Sequence, residues 1–317
     1  MKMISIQITL FLLLITTGAN AMNYRTDPFT SNAHLIAVET SKQLINDHLQ
    51  VIQRGSSEEI DELIQGVEVH WERISYSAFQ NNASSIAHSE KLIEAMKQAD
   101  EEALPDLAKE LLYTLSTANF TEVDLDVRAA SLSLILVSED GLSEFYEEAV
   151  EGEEIFFELA KETLKTVESS IEQISEDKDV LAALAGLQDL FPGKSEKSRL
   201  DLDPEAAEGA GHELIAALEK GLSLDLYFSR SFNVGIERFH DLVITACDIV
   251  DDNHLKESIS VANFYFENEI EATLSVLLPD ENEDVSEIFD LNKTNQSDIC
   301  PELNYTLQTV QDKLFAG

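Results

Sequence analysis

Between His34 and Ile52, the residues Leu35, Val38, Ile45, Leu49 and Ile52 recur on a three-four spacing, interrupted once at Lys42. Residues three and four apart share one face of an α-helix, so the pattern predicts an amphipathic helix with that face in a bundle interior. A second helix is predicted directly after it. Ser56 or Ser57 stands where an N-cap belongs, Glu58 and Glu59 fall in the first turn, and Ile60, Leu63, Val67, Trp71 and Ile74 form the apolar stripe. Residues 88–115 read as helix, break and helix, with Pro105 placed for the first turn of the later one. Phe156, Leu159, Thr163, Val167, Ile171 and Ile174 make another stripe. From Glu213 through Val250 the pattern is nearly continuous, running through Leu218, Leu222, Phe228, Phe232, Phe239 and Val243 to Cys247, and residues 261–278 add one more helix.

Two pieces depart from this rhythm. Residues 123–128 (VDLDVR) and 221–228 (GLSLDLYF) alternate apolar and polar positions as half-buried strands do. Each sits between helical neighbours, and two isolated strands are poorly stable, so both are read as helix or helix-flanking turn. The predicted fold is all-α, a multi-helix bundle with room for two packed helical subdomains, and a small β element between them is the alternative. Residues 191–211, which combine Pro, Gly and Ser with Lys194, Lys197 and Arg199, are the one plausible linker or surface loop. This gives an N-terminal bundle over 22–190 and a C-terminal helical region over 212–317.

The chain opens with one lysine, an apolar run and small residues ending Ala19-Asn20-Ala21, the layout of a secretory signal peptide over 1–21 with cleavage after Ala21. No later apolar run approaches the roughly 20 residues that a membrane span needs. The expectation is a secreted, extracellular protein. In that compartment Asn82, Asn119, Asn292, Asn295 and Asn304, each in an Asn-x-Ser/Thr triplet, become candidate glycan acceptors. Cys247 and Cys300 are the only cysteines, and an even count in an oxidising compartment favours a disulfide between them. The tail around Cys300 is polar and Asn-rich, so it is expected to bury little of its own and to need that covalent tie.

Charge changes the functional picture more than any motif. Sixty-one acidic residues against 21 Lys and Arg give a net charge of −40, and loss of Lys2 with the signal peptide makes it −41. Such a field repels phosphates and anionic lipid heads, which argues against nucleic acid or membrane as a partner and for a cationic protein or extracellular material. From Glu139 to Asp179 there are fifteen acidic residues and three lysines, and Glu147, Glu148, Glu151, Glu153 and Glu154 are the candidate acidic interaction face. A solvated helix face explains the same run.

Catalytic and metal-binding patterns fail one by one. Ser223 lies in GLSLD, which lacks the second glycine of a nucleophile elbow. His212-Glu213 begins a zincin motif and then has Ala216 where the second histidine belongs, and His34 and His48 are too far apart along their helix to share an ion. The seven histidines read as ordinary surface or helix-end residues. Residues 251–254 (DDNH) lack the glycine and spaced carboxylates of an EF-hand and read as a helix-ending turn. Gly209 and Gly211 complete no nucleotide fingerprint. The chain is therefore expected to be non-enzymatic, without metal or other cofactor, and to act as a structural or protein-interaction glycoprotein. The alternative is a carrier of a lipid or other hydrophobic small molecule, with the rings at Phe156-Phe157 and Phe264-Tyr265-Phe266 lining its cavity, although bundle interiors are normally packed solid and the rings are read first as filling an ordinary core.

Overall fold

A computed structural model describes residues 27–55, 60–78, 83–118, 120, 122–138, 140–152, 154–191, 203–226, 232–248, 252–289 and 296–315. The described residues are almost wholly helical, as predicted. In chain order the helices are α1 (Pro28–Arg54), α2 (Ile60–Ala78), α3 (Ala83–Gln98), α4 (Leu104–Ser116), α5 (Leu125–Val137), α6 (Leu142–Glu151), α7 (Glu154–Ile174), α8 (Lys178–Asp189), α9 (Ala206–Leu222), α10 (Phe232–Cys247) and α11 (Asp252–Tyr265). A π-helical turn (Phe266–Ile270) joins α11 to α12 (Glu271–Leu277), and α13 (Pro279–Phe289) and α14 (Gln296–Phe315) complete the order.

The hub is α1. It packs against α2, α4, α5, α7, α10 and α11, so solvent reaches little of its surface. Its predicted stripe is buried at Val38, Ile45, Leu49 and Ile52, and the burial extends to Thr40, Ser41, Asp47 and His48, which a one-faced helix would leave wet. Lys42, the interruption in the stripe, lies half-buried, pairs with Glu39 and sits 5.3 Å from the ring centre of Phe120. It covers apolar surface with its stem while its ammonium is neutralised.

Of the two alternating segments, 123–128 and the described part of the other, 221–226, form helix and turn, and 227–228 lie outside the described residues. Asp124 caps α5 by accepting from the Val127 backbone amide at 3.0 Å, so VDLDVR is a helix start and not a strand. α9 ends at Leu222, and Ser223 takes a left-handed backbone, φ 58°. That turn breaks what reads as a continuous pattern from 213 to 250 into α9 and α10. Residues 206–211 of the proposed linker are the first turns of α9, and 192–202 lie outside the described residues. DDNH is corrected as well: Asp252 opens α11, so its last three residues start a helix instead of ending one.

A single connected core runs from Phe29 to Val310. Helices on both sides of 191–211 contribute, with α9 against α5 and α6, and α10 and α11 against α1. The Phe264-Tyr265-Phe266 rings are buried in it, where Phe239, Phe266 and Phe289 make a three-ring cluster with centroid spacings of 5.6 to 5.9 Å.

The tail departs from expectation. α14 buries Ile299, Leu303, Leu307 and Val310 against α10 and α13, so it carries an apolar stripe of its own. Cys247 and Cys300 are joined, with their Cα atoms 5.6 Å apart, and the bond adds to packing that already exists.

Candidate functional site

Three consecutive residues of α1 point to three different polar environments. Asn46 opens onto a cleft, Asp47 is buried toward α7, and His48 is buried toward α2 and α6.

The cleft lies between α1, α5 and α7 and has a volume of about 240 Å³. α1 contributes Glu39, Gln43 and Asn46, spaced by four and three so that they stand on one face. α5 contributes Arg128 and Ser131 over an apolar floor of Leu132 and Ile135, and α7 brings Lys165, Thr166, Ser169, Ser170 and Gln173. Arg128 donates to Gln173 Oε1 at 2.6 Å, Gln43 donates to Glu39 Oε1 at 2.9 Å, and Lys165 pairs with Glu162 at 2.7 Å.

Behind this wall sits Asp47, with no exposed surface. Thr166 donates to its Oδ1 at 2.6 Å, and Thr163 and Asn46 beside it act on the carboxyl more weakly. Burial raises the Asp47 carboxyl to about 7. The Thr166 hydrogen bond pulls it back down, and the nearby Glu162 carboxylate pushes it up. Protonated, the carboxyl becomes a donor with Thr163 beside it.

His48 and His70 meet on the other side of α1 with ring centroids 5.7 Å apart. His48 Nδ1 lies 2.8 Å from the Leu44 carbonyl, so Nδ1 carries the proton and Nε2 is bare, facing Gly66. His70 Nδ1 lies 3.2 Å from an Arg73 nitrogen, which can only donate, so His70 carries its proton on Nε2. Burial lowers the pKa of both rings; at His70 the adjacent Arg73 charge lowers it further. Arg73 also pairs with Asp140 at 3.0 Å and lies 4.6 Å from the Phe264 ring centre, tying α2 to the α5–α6 turn and to α11. Burial raises the Asp140 carboxyl, but the Arg73 guanidinium, by its charge and its hydrogen bond, leaves it below its ordinary range. These two histidines are core residues, a correction to the surface reading of the whole set. The burial is invisible in sequence because each ring is enclosed by helices distant along the chain.

The candidate acidic face is described in part. Glu151 is exposed, Glu147 and Glu148 are half-buried, and the side chains of Glu153 and Glu154 lie outside the described ones. α13 is a stronger acidic surface: Asp280, Glu283, Asp284 and Glu287 are exposed, and the helix contains no Lys or Arg. Among the glycan candidates, Asn304 is exposed on α14, and Asn82, Asn119, Asn292 and Asn295 lie outside the described residues. His/Cys/Asp/Glu groups of three or more arranged for a metal ion do not occur among the described residues, and no described helix is long and apolar enough to cross a membrane. Phe266 and Phe289 border a second cavity of about 210 Å³, but its other walls are Asn263, Glu267, Glu271 and Ser286, a polar lining for a hydrophobic cargo.

No family model, curated protein or solved structure matches the chain.

Proposed function

We propose that the protein is a secreted acidic glycoprotein that works by binding, not catalysis, and that its partner is a cationic protein or basic extracellular material. The observation that carries this reading is the net charge of −40 on a packed helical body. Many of the described basic groups are already neutralised within the chain: Arg54 pairs with Glu162, Arg73 with Asp140, Lys97 with Glu68, Lys220 with Asp179, Arg238 with Asp27 and Lys313 with Glu281. The remaining carboxylates form a single-sign outer field, and α13 presents four of them. Such a field accelerates encounter with a basic partner and rejects acidic ones.

The test uses protein recovered from its own secretory source and chemically cross-linked to its neighbours. A basic partner, with a complex that weakens markedly between about 0.05 M and about 0.5 M salt, is the expected result. A neutral or acidic partner, or a complex indifferent to salt, would overturn the proposal. On the same sample the mature chain should begin at Met22, and its excess mass should fall on removal of N-linked glycans.

A further inference from the structure

We infer that the cleft between α1, α5 and α7 binds a small zwitterion of the amino-acid class, its carboxylate on Arg128 and its ammonium on Glu39. The inference is independent of the partner proposed above.

Size sets the first limit. A cavity of about 150 Å³ accommodates benzene, so a cleft of about 240 Å³ suits a molecule of about ten non-hydrogen atoms.

Charge sets the second. Of the four described arginines, Arg54, Arg73 and Arg238 each meet a carboxylate, whereas Arg128 meets the neutral amide oxygen of Gln173. In a chain with 61 acidic residues, a half-buried guanidinium facing an amide is an unsatisfied preference for an anion. Its fork matches a carboxylate, which accepts two parallel hydrogen bonds where Gln173 offers one acceptor. Lys165 stands at the same cleft as a second, more exposed cation. On the α1 wall of the cleft Glu39 is paired with Lys42 and accepts from Gln43, and its remaining lone pairs can take an incoming ammonium.

The whole-molecule field then selects between ligand classes. At −40 it opposes entry of a simple anion, while a simple cation would be drawn to the surface and then meet Arg128 and Lys165 inside. A molecule carrying one charge of each sign avoids both penalties. The apolar floor of Leu132, Ile135 and Ile174 accepts its carbon skeleton, and Ser131, Ser169 and Ser170 supply hydroxyls beside it.

The experiment is calorimetric titration of the full-length protein with free amino acids spanning every side-chain class. At least one is expected to give a saturable one-site isotherm. Its N-acetyl and carboxamide derivatives, each lacking one of the two charges, should bind at least about tenfold more weakly, a loss of roughly 1.4 kcal/mol each. Arg128→Gln and Glu39→Gln should produce losses of the same order, Arg128→Gln with the melting temperature unchanged. The derivatives are tested on unaltered protein, so the comparison survives even if a variant folds poorly. Absence of binding by every amino acid at about 10 mM, equal binding of the one-charge derivatives, or an Arg128→Gln variant that binds as the parent does would each overturn the assignment.

Discussion

Gly66 occupies mid-helix in α2, where alanine normally adds about 1 kcal/mol of stability. A methyl group there would stand 2.4 Å from His48 Nε2 and 2.7 Å from its Cδ2. The ring cannot swing away, because its Nδ1–H is spent on Leu44 and its edges abut His70 and Phe145. Overpacking of this kind costs about 1–3 kcal/mol, so the clash exceeds the helix gain. Gly66→Ala should therefore lower the urea midpoint, while Gly186→Ala on the open face of α8, where nothing lies within 4 Å, should raise it. Equal shifts at both positions would refute a pinned His48. Asp47 makes a second residue-scale prediction. With its folded pKa at about 7 and its ordinary value at 3.8, it holds a proton in the folded state that the unfolded chain gives up over that window. Raising the pH from about 4 to about 7 therefore removes stability, and the displacement of about three units corresponds to roughly 4 kcal/mol. Asp47→Asn keeps the acceptor for Thr166 and offers Thr163 a donor without charge. Its stability should stay flat where that of the parent declines, and parallel denaturation curves across this pH range would contradict the buried-acid account.

At the scale of elements, the stripes were legible because each needs only local spacing: Leu63, Val67, Trp71 and Ile74 lie on one face in sequence and are buried together in the structure. The hub role of α1 was not legible. A periodicity argument assumes one wet face, and α1 is enclosed by six helices whose positions are set by long-range contacts. The cleft was hidden for the same reason, since Glu39, Arg128 and Gln173 are each unremarkable surface-type residues until α1, α5 and α7 converge. One hint was present: Ser131 and Ser133 interrupt the otherwise apolar end of α5, and Ser131 accepts from Thr40 of α1 at 3.0 Å. The Asn-rich approach to the tail hides the helix after it, in which Leu303, Leu307 and Val310 fall four and three apart. This bears on the disulfide. A chain-entropy argument for a loop spanning 53 positions gives about 4 kcal/mol, and the packed stripe supplies a second, non-covalent hold. Reduction should cost about 2–4 kcal/mol of global stability while α14 stays docked. Hydrogen exchange at Leu303 to Val310 is the readout, and full loss of protection on reduction would mean that the bond alone retains the tail.

Over the whole molecule, local pairing and global charge act in opposite directions. Pairs such as Lys97–Glu68 and Lys220–Asp179 are exposed and individually contribute little. They cannot offset an excess of forty negative charges, whose mutual repulsion is relieved when the chain expands. Added salt screens that repulsion over distances of about 10 Å at 0.1 M, a range that spans neighbouring helices, and it weakens the exposed pairs at the same time. Because like-charge contacts greatly outnumber the pairs, screening should stabilise on balance. The melting temperature is expected to rise by at least about 3 °C between about 0.02 M and about 0.5 M sodium chloride at pH 8. The rise should shrink at about pH 4, where part of the carboxylate charge is titrated away. Scanning calorimetry at both pH values decides it: a melting temperature that falls with salt would mean that the ion pairs dominate, and that the acidic surface is held together by its few bases and not merely tolerated by its core.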